Sequence, residues 1–164
     1  MGKILIISAT KGTNFQLAHK ISNILTLDNE VLTLEDYPMP IYVPNSNNVI
    51  ENKMISDLLG KFIECHGLIF CAPEYNGGSP PILTNVITWM SLKTDNWRDA
   101  FKNKMVLIAT HSGGAGHNFL TTFGLQLQFM GSIVFPRNII VNSSKKFNEK
   151  SVNKILSDFI TILK

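Results

Sequence analysis

The stretch Gly67-Leu68-Ile69-Phe70-Cys71-Ala72, running straight into Pro73-Glu74-Tyr75-Asn76-Gly77-Gly78, decides how this chain folds. Its first half is a short, unbroken apolar run, the pattern of a strand buried on both faces of a parallel sheet. Its second half is turn chemistry: a proline, a carboxylate, an aromatic ring and paired glycines that leave backbone amides exposed at the strand's end. Open α/β sheets bind ligands there, outside the carboxyl ends of their strands. The same grammar recurs twice. Lys3-Ile4-Leu5-Ile6-Ile7 is followed by Ser8-Ala9-Thr10-Lys11-Gly12-Thr13-Asn14, and Met105–Thr110 by His111-Ser112-Gly113-Gly114-Ala115-Gly116. Three such loops after three buried strands point to one large, planar, phosphorylated ligand on the rim of the sheet.

Between these strands the apolar period changes to that of helices. Over Thr13 to about Leu25, the side chains of Leu17, Ala18, Ile21, Ile24 and Leu25 share one face. Glu30–Leu34 alternates and reads as a second, more exposed strand. Asp36–Asn48 carries three prolines and several asparagines and reads as a loop near the site rim. Helical period returns over Val49–Cys65, Pro81 to about Leu92, Asn118 to Met130 and Asn148–Leu163. Ile133-Val134-Phe135 and Ile139-Ile140-Val141 flank Pro136 and together give a fifth, interrupted strand. Five strands, each followed by a helix, predict a doubly wound, flavodoxin-like α/β sandwich of three layers. Its five-stranded parallel sheet has the order 2-1-3-4-5, with helices on both faces. The 164 residues are read as a single domain over 1–164.

The composition is that of an ordinary globular chain, 45% hydrophobic and 16% charged. The net charge of +3 is small and its basic residues are scattered, Lys145-Lys146 with Lys150 nearby being the densest cluster. Readers of nucleic acid carry a stronger patch, so no such partner is expected, although mild basicity favours anionic small substrates. Cys65 and Cys71 have no CxxC or zinc-type spacing, and His19, His66 and His117 have none either, so no metal is expected. Ile6 stands where a myristoylation motif needs Ser or Thr, and the short N-terminal apolar run reads as a strand rather than a leader. No apolar run reaches membrane-spanning length. The expectation is a cytoplasmic protein with no membrane partner.

In the first loop, Ser8, Thr10, Thr13 and Asn14 crowd the turn into a helix N-terminus. Unpaired amides and the positive end of the helix dipole suit a phosphate there. The loop has neither the Walker spacing nor a GxGxxG run, which argues against a nucleoside triphosphate or a Rossmann dinucleotide. Taken alone, these residues read equally well as a helix cap and ordinary strand-end chemistry. In company with the other two loops the phosphate reading is the better one.

Ser8-x-Thr10-x-x-Thr13 resembles the hydroxyl-rich phosphate loop of flavodoxins. The whole stretch Ser8–Ala18 also resembles the first loop and helix of the NADPH-dependent FMN reductase family. Pro73-Glu74-Tyr75-Asn76-Gly77, then Pro80, Leu83, Asn85, Ile87 and Trp89, resembles that family's Pro-Glu-Tyr-Asn-Gly signature and the helix after it. The chain departs from the pattern at Thr10, where an arginine is common, at Pro81, where a glycine is common, and at Thr84 and Thr88. His111 also stands where a smaller polar residue is usual.

The resemblance implies FMN across the strand tips, with NADPH or NADH as co-substrate. Ser8, Thr10, Thr13 and Asn14 would hold the phosphate, with Lys11 as a point charge in place of the arginine. Pro73, Glu74, Tyr75, Asn76 and Gly77 would contact the ring, and Ser112, Gly113 and Gly114 would flank it. His111 would either touch the flavin or be a rim histidine satisfied by backbone. Glu74 would either accept from flavin or substrate, or fix its own loop through local amides. Tyr75 would cover the ring or pack on a partner subunit. Trp89 and Met90 are either core or, as the resemblance implies, part of a homodimer or homotetramer interface. The activity implied is a ping-pong NAD(P)H oxidoreductase passing electrons to a small-molecule acceptor of quinone, flavin, azo or chromate type. An FMN electron carrier that does not oxidise NAD(P)H is the alternative, and a flavin-free interaction module is a third.

Overall fold

The computed structural model describes residues 2–45 and 52–163. Its strands are β1 (Ile4–Ser8), β2 (Asn29–Thr33), β3 (Gly67–Cys71), β4 (Met105–His111), β5 (Ile133–Val134) and β6 (Ile139–Val141). Its helices are α1 (Thr13–Ile24), α2 (Asn52–Glu64), α3 (Pro81–Lys93), α4 (His117–Phe129) and α5 (Glu149–Leu163). Single 3-10 turns at Leu34–Asp36 and Trp97–Ala100 were not anticipated. The start of the second helix, at Val49 and Ile50, and the end of the loop expected over Asp36–Asn48 lie outside the described residues.

All strand pairings are parallel, in the order β2-β1-β3-β4-β5, with β6 also on β4. This is the flavodoxin-like sheet expected from the apolar pattern. The last two strands are the halves of one interrupted strand: β5 pairs with Met105 and Val106, while β6 pairs with Ala109, Thr110 and His111. Pro136, between them, has no amide hydrogen to give the ladder.

Successive side chains of a strand face opposite ways, and the two faces bury separate cores. Ile4, Ile6, Ile69, Cys71, Leu107 and Ala109 meet Leu17, Ala18 and Ile21 of α1 and Val152, Ile155, Leu156 and Phe159 of α5. Leu5, Ile7, Leu68, Phe70, Val106 and Ile108 meet α2, α3 and α4. Aromatic rings tie that second core together, with Phe123 edge-on to Phe70 and stacked on Phe119.

The register decides where the ligand loops meet. Ser8 pairs with Cys71, so β1 and β3 end level, while β4 runs on two residues past Ala109, the partner of Cys71. Val141 pairs with His111, which brings the end of β6 to the same edge.

Candidate functional site

A cavity of about 480 Å³ lies at this edge, within the range usual for small-molecule sites. Loop by loop, its walls are Thr10, Lys11, Thr13 and Asn14; Pro73, Glu74 and Tyr75; His111, Ser112 and Gly113; and Asn142, Ser143 and Lys146.

The first wall begins α1. Gly12 precedes the helix at φ 112, and no side chain caps its first turn, so first-turn amides are left for another acceptor. Thr13 is exposed and Thr10 half-buried. Ser8 is fully buried, does not line the cavity, and its hydroxyl donates to the Thr10 carbonyl at 2.7 Å. Asn14, 1% exposed, clasps β4: its Nδ2 donates to the His111 carbonyl at 2.9 Å and its Oδ1 accepts from the His111 amide at 2.8 Å. Lys11 turns to Asp36, 2.7 Å away, and that carboxylate raises the ammonium's pKa.

The second wall is a locked turn. Tyr75 and Gly78 exchange both backbone hydrogen bonds at 3.0 Å around Asn76 and Gly77, whose φ angles are 50 and 74. Those values make a type I′ turn, which explains the Asn-Gly pair. Asn76 and Gly77 form its tip, outside the cavity lining, while Tyr75 is 50% exposed beside the opening. The Glu74 amide donates to Ser112 Oγ at 2.8 Å, and Glu74 Oε2 accepts from the Phe119 amide at 2.9 Å. The carboxylate thereby caps α4, which the side-chain-less Gly116 precedes without capping it.

The third wall is braced from below. Ser112 Oγ lies 2.7 Å from the buried Thr110 hydroxyl. Gly116 holds φ 69 with its α-carbon pressed on Thr110, where a Cβ would come within 2.8 Å of Cγ2. A Cβ on Gly113 or Gly114 would meet nothing within 4 Å; Gly113 lines the cavity and Gly114 lies outside its lining. The Gly114 carbonyl accepts from Asn142 Nδ2 at 3.1 Å.

Asn142, Ser143 and Lys146 were missed in the sequence, although they follow the same rule of polar residues after a buried strand. The strand's end at Val141 is legible, but the segment after it carries no glycine-rich or proline-led turn to mark a ligand loop. Trp89 and Met90 are core of this chain, 4% and 0% exposed. The Trp89 ring nitrogen donates to the Pro40 carbonyl at 2.8 Å, and Asn85 holds the same loop through Tyr42 and Pro40. Burial pushes the Cys65 thiol up to about 11 and Cys71 higher still, so neither offers a thiolate. Among the described residues no cluster of His, Cys, Asp and Glu could hold a metal, and no helix is long and apolar enough to cross a membrane.

Residues 2–146 match the family described as NADPH-dependent FMN reductase. An uncharacterized protein of Mycoplasma pneumoniae, the MG342 homolog, is 30% identical over 94 residues. The match spans 54% of this chain and only 57% of that protein's length. Among solved structures, FerB, a flavoenzyme NAD(P)H:(acceptor) oxidoreductase of Paracoccus denitrificans, superposes with a TM-score of 0.77 at 14% identity, covering 99% of this chain and 97% of its own. A flavodoxin from the domain Archaea superposes at 0.65 with 11% identity, covering 98% of each chain. At these identities the superpositions establish the fold.

Proposed function

The chain belongs to the NADPH-dependent FMN reductase family, a flavin-dependent NAD(P)H oxidoreductase family, and from that premise we propose that it runs a ping-pong cycle in the rim cavity. NAD(P)H and a small acceptor of quinone, flavin, azo or chromate type use the same open face in turn. The observation that carries this reading is that one continuous cavity joins the uncapped start of α1 to the locked turn at Tyr75–Gly78.

The residues fit FMN by the chemistry of their donors. Thr10, Thr13 and the first-turn amides of α1 offer a phosphate neutral hydrogen bonds and the positive end of a dipole. Gly113 leaves room for a ring to lie flat. When bound, FMN supplies the hydride and electron chemistry. The chain binds and orients. Ser8 shapes the first loop through the Thr10 carbonyl, and Asn14 fixes the start of α1 against His111. Pro73, Glu74 and Tyr75 would hold the ring, with the turn tip at Asn76 and Gly77 behind them, and the half-exposed Tyr75 would shield it from water. Glu74 moves no proton; its carboxylate keeps α4 and the turn together. Stacking geometry, rather than a general acid or base, is what the protein contributes.

The test is the visible spectrum of the FMN-loaded protein on anaerobic addition of NADPH, then NADH. Prompt bleaching is expected, followed by recovery on adding acceptor and by parallel lines in initial-rate plots. A flavin that stays yellow with both nucleotides would replace this reading with the electron carrier, and intersecting lines would remove the ping-pong order.

A further inference from the structure

Resting on the FMN assignment above, we infer that Lys146, on the loop after β6, is the cationic partner of the cofactor's phosphate. Two lysines line the cavity, Lys11 and Lys146. Lys11 is already paired with Asp36, and a phosphate would have to compete with that carboxylate. Lys146 makes no ion pair among the described residues.

Both ends of its loop are pinned. At the start, Asn142 Oδ1 accepts from the amides of Ser144 and Lys145 at 2.9 and 2.7 Å, and its Nδ2 reaches Gly114. At the end, Phe147 shares a small cleft with Thr13 and Gln16 of α1, and the Lys20 ammonium sits 5.2 Å over its ring. Lys146 is thus carried between the third loop and the first turns of α1, beside the wall that offers Thr10 and Thr13.

The charge balance calls for such a group. The helix end is worth about half a positive charge, whereas a phosphate monoester carries about −1.5 to −2 at neutral pH. Hydroxyls and amides solvate that charge without cancelling it. A lysine on a flexible stem, approaching from the neighbouring wall, supplies a point charge without needing the planar fork of an arginine.

The full chain, stripped of flavin by dialysis, is titrated with FMN and with riboflavin, which differ only in the phosphate, while flavin fluorescence is followed. Lys146→Gln is expected to weaken FMN binding by about five- to tenfold, with riboflavin affinity changing by less than about twofold. Lys146→Arg should recover most of the loss. Lys145→Gln removes the same charge one residue away, outside the cavity lining, and should match the wild type. Added salt should shrink the gap between wild type and Lys146→Gln. Three results would overturn the assignment: equal losses for both flavins, an FMN-specific loss in Lys11→Gln instead, or wild-type FMN affinity in Lys146→Gln. If the wild type still prefers FMN to riboflavin in that last case, only the role of Lys146 is lost. A wild type that binds neither flavin removes the proposed function as well.

Discussion

The two ends of the rim cavity are built in opposite ways. Around Glu74 and Ser112 the polar groups answer one another: the Glu74 amide to Ser112, its carboxylate to Phe119, Ser112 to Thr110, Tyr75 to Gly78. At the start of α1 the helix opens without a side-chain cap, and Lys11, in the loop before it, leans away to Asp36. A saturated network holds a shape, and an unsaturated helix start holds an affinity for anions. The contrast separates a surface for a flat ring from a socket for a phosphate, and it predicts that substitutions will divide between stability and affinity.

The largest loss of stability is expected from Asn14→Leu. Asn14 stands at the open end but turns its side chain to β4, so its loss leaves the part-buried amide and carbonyl of His111 without partners, and about 3 kcal/mol should disappear from urea unfolding. Gly116→Ala strikes the locked end itself. A left-handed backbone and a Cβ at 2.8 Å from Thr110 should cost about 2 kcal/mol, with riboflavin binding weakened alongside. Glu74→Ala removes the cap of α4 and should cost about 1 kcal/mol, most of it returned by Glu74→Gln, which keeps an acceptor. Thr13→Val is the smallest in stability, within about 0.5 kcal/mol for an exposed side chain. It should nevertheless weaken FMN about threefold to tenfold in a fluorescence titration and spare riboflavin. Should Thr13→Val instead unfold the chain, or Glu74→Ala leave unfolding unchanged, the division between the two ends fails.

Much of this frame is legible in local sequence. The unbroken apolar runs give β1, β3 and β4, the Asn-Gly pair gives the turn, and strand-end loops converge because parallel strands carry their carboxyl ends to one edge. Partnerships across the fold are not legible. Asn14 reads as a phosphate donor until its bonds to His111, 97 residues on, show both polar atoms engaged. Glu74 offers two roles in sequence, and its bond to Phe119 depends on where α4 starts relative to the turn. The fourth wall escaped although the strand before it is read to its end at Val141, because Asn142-Ser143-Ser144-Lys145-Lys146 looks like any polar surface segment until β6 is laid beside β4. Trp89 and Met90 are ambiguous for another reason: an apolar helix face looks the same whether it meets its own sheet or another chain.

A long free strand edge invites another chain to add itself by main-chain pairing. β4 is seven residues long, yet what borders it is two residues, then Phe135-Pro136-Arg137-Asn138, then three. Neither fragment presents enough successive amides and carbonyls to template a foreign strand. On the opposite border, β2 carries Glu30 held by both Lys3 and Lys61, a knot of charge that a docking strand would have to desolvate. With a net charge of only +3, the chain has little electrostatic repulsion to keep its copies apart, so resistance to fibrous self-association rests on these two blunted borders.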